Sequence, residues 1–285
     1  MLSIFKKIIK KTISFEFFKE KKDEVKWLKK FKWAGGNYKW IEKKILQKKY
    51  KTQIENSIFL EIGSWDCLDS RYFIKKFNPK KVFTFEPSRP GILRSMEILQ
   101  YYNEDAKKIV FCAFALGSKN EIKKFYEFNY KDPLEGNEIN IGASSLLKWT
   151  SKNYNENDNH KNIENDGEIE KTYDVLVRKG DDLDFIQNEN IYLIAMDVEG
   201  LEYEVLLGLK ETLKKTKFVC LETGFNFPRE SKTHEANDVL DFMKDNNFSL
   251  LLCSSTETTI LPENDGSFKQ FNLLFENKIN LYFLL

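Results

Sequence analysis

Short apolar runs alternate with amphipathic stretches over most of the chain. The runs that predict strands are 57–63, 81–87, 108–117, 173–180, 191–200, 218–224, 248–254 and 270–278. The stretches with helical spacing between them are 70–77, 91–102, 201–216 and 236–247. Strands that alternate with helices predict βαβ units and a parallel sheet. The last two runs have no helix between them, and a short loop joining them favours an antiparallel pair. We therefore expect an α/β, Rossmann-like fold with a seven-stranded, mostly parallel sheet whose last strand is antiparallel.

Two segments depart from this alternation. Residues 1–56 are rich in Lys and Trp and predict an N-terminal helical extension ahead of a domain at 57–285. Residues 118–180 interrupt the domain, with an edge strand expected at 121–128. Within this insertion, 151–171 is polar, Asn-rich and almost without apolar anchors, which predicts a mobile loop. Two interpretations of that loop stay open: a lid over the acceptor that orders on binding, or a plain disordered insertion.

Composition and charge narrow the class of partner. The 285 residues are 41% hydrophobic and 14% aromatic, so a large buried core is expected. Lys+Arg is 45 and Asp+Glu is 44, so no overall field attracts the chain to nucleic acid. The cysteines form no CxxC motif and no Cys/His cluster, which argues against zinc and disulfides and favours the cytoplasm.

The N-terminal twenty residues leave two interpretations open. No apolar run is long enough to span a membrane. Residues 1–20 nevertheless have amphipathic helical spacing, with Ile4, Ile8 and neighbouring apolar residues on one side and lysines on the other. Such a helix packs on the domain or on a second copy in a homo-oligomer, or it contacts the inner face of a membrane peripherally.

The strand ends suggest where a ligand binds, because open α/β sheets bind ligands beyond the carboxyl ends of their strands. Four of the five predicted ends carry carboxylates, which are costly to bury unless hydroxyls, amines or a metal ion partner them. The five ends are Glu61/Gly63, Glu86, Leu116/Gly117, Asp197/Glu199 and Glu222, and the third of them has no carboxylate.

The first two strand ends favour a nucleoside with a cationic tail. Glu86 ends the second strand, where an acid accepts hydrogen bonds from ribose hydroxyls. The turn after Gly63 lacks the GxGxxG glycines that let the backbone approach a pyrophosphate, and its acids would repel one. S-adenosylmethionine fits these two features.

Several segments resemble the FkbM family of S-adenosylmethionine-dependent methyltransferases. They are EIGSWDCLDSRYF, VFTFEPS, ALGSKNEIKKFYEF, GASSL and IAMDVEGLEYEVLLG, and the resemblance runs from about 57 to 278. It implies a class I methyltransferase fold and methyl transfer to oxygen, often on sugars or polyketide-derived hydroxyls. It also implies that the methionine end is held by Glu61, Gly63 and Ser64, the ribose by Glu86, and the adenine near Ala115, Leu116 and Gly117, with Asp197 facing the methyl group.

The remaining predicted cofactor residues are Asp66 and Ser70 after the first strand and Pro87 beside Glu86. One position departs from the family pattern, because Cys67 stands where the family's turn commonly has glycine. This departure puts the affinity for the cofactor, but not the fold, in question.

A hydroxyl nucleophile must lose its proton to a base, or a metal ion must lower its pKa. Asp197, Glu199 and His234 are the candidate catalytic residues, and we expect Glu199 to face the acceptor. Alternatively, Asp197, Glu222 and Asp184 bind Mg²⁺ through their oxygens.

The sequence thus predicts an S-adenosylmethionine-dependent O-methyltransferase that acts on a sugar hydroxyl, in the biosynthesis of a cell-surface polysaccharide. Two alternatives are kept. The acceptor is a small secondary metabolite, or the domain is a catalytically silent scaffold that binds the cofactor.

Overall fold

The computed structural model describes residues 38–47, 50–132, 138–139, 144–148, 167–227, 229 and 234–279. The eleven strands in these residues are β1 (Ile58–Ile62), β2 (Lys81–Phe85), β3 (Ile109–Cys112), β4 (Ala115–Gly117), β5 (Glu121–Asp132), β6 (Glu138–Ile139), β7 (Gly167–Lys179), β8 (Ile191–Met196), β9 (Thr216–Phe225), β10 (Phe248–Cys253) and β11 (Lys269–Asn277).

The α-helices of the described residues are α1 (Glu42–Ile45), α2 (Lys51–Glu55), α3 (Leu68–Phe77), α4 (Arg89–Tyr101), α5 (Asn103–Ala106), α6 (Asp184–Gln187), α7 (Glu202–Leu207), α8 (Lys210–Leu213) and α9 (Ala236–Asp245). Two short 3₁₀ helices, Lys39–Ile41 and Gly180–Asp182, complete the described helices.

The main sheet has seven strands in the order β10-β11-β9-β8-β1-β2-β3. Its neighbouring strands are parallel except where β11 pairs antiparallel with β10 and with β9. This order and the antiparallel strand confirm the predicted Rossmann-like class I fold. The connection from β10 to β11 spans 254–268, however, so the expected short loop is wrong.

One of the predicted strands is divided between the main sheet and a second sheet. The run 108–117 breaks after Cys112, and β4 joins β7, β5 and β6 in a four-stranded sheet, which we call the small sheet. Just beyond the break, the ring of Phe114 packs on that of Phe85, 5.7 Å away, and β4 then pairs with β7. Strand β7 begins at Gly167, so 167–171 is strand rather than loop, and 151–166 lies outside the described residues.

The predicted helix 201–216 is also divided. Helix α7 ends at Leu207 and α8 begins at Lys210, with Gly208 between them. A Cβ at Gly208 would lie 1.9 Å from the carbonyl oxygen of Gly117. The close approach of β4 to this point therefore excludes any side chain at position 208.

Apolar side chains cover both faces of the main sheet. On the face that we call the second core, Phe59, Phe73 and Tyr192 pack with residues from ahead of β1, namely Tyr38, Ile41, Ile45 and Ile54. Residues 38–55 are helical for the most part, as predicted, and they complete this core rather than standing apart from the domain. The predicted basic helix at 1–20 lies outside the described residues.

None of the helices in the described residues has both the length and the apolar character needed to cross a bilayer.

Candidate functional site

Three of the predicted rim carboxylates lie on one face of the main sheet. Glu61 is in register with Ala195 of β8, which is in register with Cys220 of β9. Because side chains alternate along a strand, Asp197 and Glu222, each two residues further on, point to the same face. That face carries the second core, so the carboxylates form the polar end of an apolar layer at the carboxyl rim.

The turn after β1 is fitted closely against the end of β8. Gly63 has φ +82°, and a Cβ there would lie 1.7 Å from the carbonyl oxygen of Asp197. Trp65 (φ 54°) and Cys67 (φ 62°) also take left-handed conformations, which cost a non-glycine residue about 1–2 kcal/mol each. Cys67 thus adopts the backbone conformation that glycine would take without strain, and its thiol is fully buried.

The acids of this first turn are bound by the chain itself. Glu61 accepts hydrogen bonds from Ser70 and, at 3.1 Å, from the hydroxyl of Thr84. Burial, reinforced by the neighbouring Asp69, holds the pKa of Glu61 well above its usual range. Asp66 accepts the backbone N–H of Leu68, the first residue of α3, at 3.0 Å, and burial raises the pKa of Asp66 to about 7.

Glu86 connects two turns at the carboxyl rim. Its Oε2 accepts the N–H of Trp65 at 2.8 Å and its Oε1 accepts the N–H of Ser88 at 2.7 Å. Ser88 in turn caps α4 through the N–H of Gly91. Glu86 is buried, and this burial raises its pKa. The carboxylate therefore braces the turn of Trp65, while each oxygen keeps a lone pair that a ribose hydroxyl could use.

The structure separates the predicted adenine residues from β3. Ala115, Leu116 and Gly117 form β4 of the small sheet and are buried there, whereas Ala113 and Phe114 directly follow the end of β3. Their role near adenine stays a prediction, as does that of Ser64 and of Pro87, which is half-buried beside Glu86.

At the end of β8, two carboxyl groups face each other. Oxygens of Asp197 and Glu222 lie within 4.8 Å of each other, so the two carboxyl groups would repel if both were ionised. Burial and the proximity of Glu222 and Glu199 hold the pKa of Asp197 well above its usual range, and burial with Glu199 raises the pKa of Glu222 to about 7. Gln270 of β11 donates to Glu222 at 2.6 Å. The Oδ1 atom of Asp197 is buried and has no hydrogen-bond partner among the described residues.

Glu199 is held by two other segments. Its carboxylate accepts a hydrogen bond from the Arg229 guanidinium at 2.8 Å, and the Arg229 side chain is only 1% exposed. Its backbone is left-handed (φ 56°), and its carbonyl accepts the hydroxyl of Ser145 at 3.1 Å. Glu202 completes the turn by accepting the N–H of Gly200 at 3.0 Å. The expectation that Glu199 faces the acceptor is untested, but its carboxylate is already engaged by an arginine.

Of the three residues predicted to bind Mg²⁺, one, Asp184, lies away from the other two. Asp184 is exposed at the start of α6, and α6 precedes β8, so Asp184 lies at the amino end of the sheet, opposite Asp197. Glu199 takes its place, because oxygens of Asp197, Glu199 and Glu222 lie within 4.8 Å of one another. The guanidinium of Arg229 already supplies positive charge to this cluster, so these residues do not require a cation.

The described site also contains residues that the sequence did not identify. His234, a predicted catalytic residue, stacks its ring on that of Tyr203 of α7 with centroids 3.8 Å apart, and its catalytic role stays a prediction. Arg229 and Ser145 were missed. Ser145 lies in the GASSL segment, which was a usable signal, whereas Arg229 lies between β9 and α9 with no local pattern that marks it.

Comparisons with known proteins identify a family. A sequence model of the FkbM methyltransferase domain matches residues 57–250. The chain is 28% identical over 166 residues to the 2-O-methyltransferase NoeI of Sinorhizobium fredii, an alignment that covers 58% of this chain. The chain spans 62% of the length of that relative.

Among solved structures, an FkbM methyltransferase from Methylobacillus flagellatus KT is 14% identical with a TM-score of 0.43, covering 77% of this chain and 44% of its own. The magnesium protoporphyrin IX methyltransferase ChlM of Synechocystis PCC 6803, solved with bound S-adenosylmethionine, is 7% identical with a TM-score of 0.42 and coverages of 90% and 91%.

Proposed function

Because this chain belongs to the FkbM methyltransferase family, as its resemblance implied, we propose that it transfers the methyl group of S-adenosylmethionine to a hydroxyl oxygen of a sugar. The observation that carries the proposal is the close pair of carboxyl groups, Asp197 and Glu222, at the carboxyl rim. This pair lies directly against the turn of Gly63, on which the cofactor is expected to rest.

The first turn and the end of β2 fit the cofactor. When bound, S-adenosylmethionine supplies an electrophilic methyl group on a sulfonium. Glu61, Asp66 and Glu86 place buried carboxyl groups, whose oxygens are hydrogen-bond acceptors, around the expected position of its amino acid and ribose. Gly63 lets the backbone of the turn come close, and the chain's own hydrogen bonds to these acids fix their positions before binding. The residues present therefore match a nucleoside with a cationic tail.

The Asp197–Glu222 pair can accept the proton that the hydroxyl releases. Two carboxyls this close resist ionising together, and Glu222 has a pKa of about 7, so the pair can exchange a proton near neutral pH. A base whose pKa lies near the working pH is the most effective one in general base catalysis. Gln270 fixes the carboxylate of Glu222, and the buried Oδ1 of Asp197 is a vacant acceptor for the reacting hydroxyl.

Two observations support a sugar as acceptor. The relative with 28% identity is named a 2-O-methyltransferase, so methyl transfer to oxygen is its chemistry. The carboxylates and the Gln270 amide at the rim are the groups that bind vicinal hydroxyls. We further propose that the acceptor belongs to a cell-surface polysaccharide assembled in the cytoplasm. A secondary-metabolite hydroxyl is the other outcome that an acceptor screen can return.

The test combines binding and turnover. Calorimetry should detect binding of both S-adenosylmethionine and S-adenosylhomocysteine, and labelled methyl should pass to neutral oligosaccharides, equally with and without EDTA. Asp197→Asn should lower the rate of transfer by about 10²–10⁴-fold, because it removes the proton acceptor. Asp184→Asn is the matched control, since this exposed aspartate lies at the opposite rim.

Each arm can fail separately. A wild-type protein that binds neither cofactor nor product contradicts the enzymatic function. Binding without transfer to any sugar contradicts the acceptor class. A wild-type rate in Asp197→Asn contradicts its role as base.

A further inference from the structure

The insertion that carries the small sheet also contacts the segment that follows β8. The end of β4 lies against Gly208, between α7 and α8. Directly after β4, the hydroxyl of Ser118 donates to the carboxylate of Glu204 in α7 at 2.6 Å. These contacts reach the helices, whereas the contact made by Ser145 reaches the turn after β8 (197–200).

Ser145 is held in place by the small sheet. Its backbone pairs with that of Tyr126 in β5 through two N–H···O bonds of 2.8 and 3.2 Å. The next residue, Leu146, packs against the apolar cluster that contains Phe125 and Tyr173. Ser145 is itself 2% exposed. Strand pairing and packing therefore fix the position of its hydroxyl independently of the turn that the hydroxyl contacts.

The hydroxyl of Ser145 orients one peptide group of that turn. Its oxygen accepts the N–H of Leu147 at 3.1 Å, and its proton is donated to the carbonyl oxygen of Glu199, also at 3.1 Å. The other end of the same peptide group is the N–H of Gly200, which donates to the buried Glu202 at 3.0 Å. The peptide group between Glu199 and Gly200 is therefore held at both ends.

This peptide group follows a strained residue. Glu199 has φ 56°, a left-handed conformation that residues other than glycine rarely adopt. Such a conformation persists where the surrounding contacts over-determine it, and it occurs at sites that need pre-organised groups. The carboxylate of Glu199 has an oxygen within 4.8 Å of oxygens of Asp197 and Glu222. The conformation of the turn thus decides where this carboxylate lies relative to the other two.

We propose that Ser145 is a positioning residue for methyl transfer, because it holds the turn after β8 in the conformation that keeps the Glu199 carboxylate beside the Asp197–Glu222 pair. The proposal rests on the proposed function, in which that pair accepts the proton of the acceptor hydroxyl. Ser145 belongs to the insertion at 118–180, so the insertion then contributes to proton transfer through the turn that it supports.

The experiment separates the rate of transfer from the binding of the cofactor. Ser145→Ala removes the hydroxyl and leaves the backbone pairing with Tyr126. With saturating labelled S-adenosylmethionine, kcat for transfer to neutral oligosaccharides should fall about tenfold, as expected when one buried hydrogen bond no longer holds the reactive conformation. The dissociation constant of S-adenosylhomocysteine, measured by calorimetry, should stay unchanged, because the turn expected to bind the cofactor follows β1.

Ser118→Ala is the matched control. It also removes one serine hydroxyl that the insertion donates to the segment after β8, but the acceptor is Glu204 in α7 rather than the turn. Thermal unfolding should show a lower melting temperature for both variants, while kcat of Ser118→Ala stays at the wild-type value. A purely structural role of Ser145 would lower the melting temperature and leave kcat unchanged at a temperature where the protein is folded.

Failure of the positioning role can be told apart from failure of the proposed function. An unchanged kcat in Ser145→Ala, an equal fall in Ser118→Ala, or a matching loss of affinity for S-adenosylhomocysteine would each overturn the role of Ser145 and leave the proposed function standing. A wild-type protein that transfers methyl to none of the oligosaccharides overturns the proposed function and this inference with it.

Discussion

The turn after β1 (63–67) and the turn after β8 (197–200) lie on neighbouring strands of one sheet, and their carboxylates differ in what surrounds them. In the first turn, Glu61 and Asp66 accept hydrogen bonds from hydroxyls and a backbone N–H of the chain. In the second, Asp197 faces another carboxyl, and its Oδ1 is buried without a partner among the described residues.

The difference corresponds to two kinds of task. A binding turn gains from fixed acceptors, since less conformational freedom is lost when the ligand arrives. A turn that exchanges a proton needs groups whose protonated and ionised forms are close in free energy, which the facing carboxyls provide. Both turns contain left-handed residues that are not glycine, so backbone strain alone does not distinguish them.

Gly63→Ala should have the largest effect of the variants that test this difference, because it forces the turn after β1 away from the turn after β8. The new Cβ would lie 1.7 Å from the carbonyl oxygen of Asp197, at a φ of +82°. We expect a loss of about 5 kcal/mol in the free energy of unfolding, at the upper end for one substitution. Denaturant unfolding measures it, and loss of both cofactor binding and turnover should accompany it.

Gly266→Ala is the control for Gly63→Ala. Gly266 has a similar φ of +87°, but nothing lies within 4 Å of its hypothetical Cβ. It should cost only the strain of about 1–2 kcal/mol. Equal losses in the two variants would mean that the contact between the turns is unimportant.

Arg229→Met tests the support of the second turn alone. It leaves the carboxylate of Glu199 without its guanidinium, and breaking a buried pair from one side costs about 3–5 kcal/mol. Thermal and denaturant unfolding should show the loss, while the first turn keeps its hydrogen bonds. The double variant Arg229→Met/Glu199→Gln should recover a good part of the stability. Equal stability of the single and double variants would contradict the pair as the cause.

The pH dependence of turnover sharpens the distinction between the turns. Burial and the neighbouring Glu199 raise the pKa of Glu222 from an ordinary 4.5 to about 7, so ionised Glu222 becomes available as the pH rises through 7. The rate should fall about tenfold per pH unit below that value. Glu222→Gln should remove this limb from the pH–rate profile. A profile that keeps the limb in Glu222→Gln would assign it elsewhere.

Asp66 in the first turn also has a pKa of about 7, but we expect its titration to change the free energy of unfolding rather than the rate of methyl transfer. The folded state binds its proton more tightly than the unfolded state, whose pKa is close to 3.8. The stabilisation is therefore fully present below about pH 4 and is lost as the pH rises through about 7. Asp66→Asn should make the free energy of unfolding less dependent on pH in this window, with no shift of the pH–rate limb.

Cys67→Gly is the smallest expected effect. Glycine relieves the left-handed strain at φ 62°, but it removes a fully buried thiol that lies 3.8 Å from the hydroxyl of Thr84. The two contributions oppose each other, so the net change should stay within about 1 kcal/mol. Calorimetry should show an unchanged affinity for S-adenosylhomocysteine. A large gain in affinity would mean that Cys67 distorts the first turn.

The sequence predicted the parts of the site that follow from local pattern. An apolar run that stops at an acid identifies both a strand and its carboxyl end, which is how Glu61, Glu86, Asp197 and Glu222 were found. Gly63 was identified for a related reason, since one glycine in a polar turn indicates a close backbone approach. The seven-stranded, mostly parallel sheet with its antiparallel last strand followed from the resemblance and from the alternation of elements together.

Other parts depend on contacts between distant segments, for which the sequence has no local signal. Arg229 reaches Glu199 from beyond β9, and nothing in its own segment marks it. Asp184 was misplaced because an acid near a strand gives no indication of which end of the sheet it occupies. The break after Cys112 was missed because one long strand and two short strands in different sheets have the same apolar sequence pattern.

The hydrogen bond from Tyr192 to Ile45 joins residues 147 positions apart and fixes the segment 38–55 beneath the sheet. Contacts of such long sequence separation form late, because the entropy of closing the loop must be offset first. During synthesis, Ile41, Ile45 and Ile54 emerge well before β8 and β9, the strands that will cover them. The newly made chain therefore carries an uncovered apolar surface until more than half of the domain has been translated, and this interval is when chaperones would be most needed.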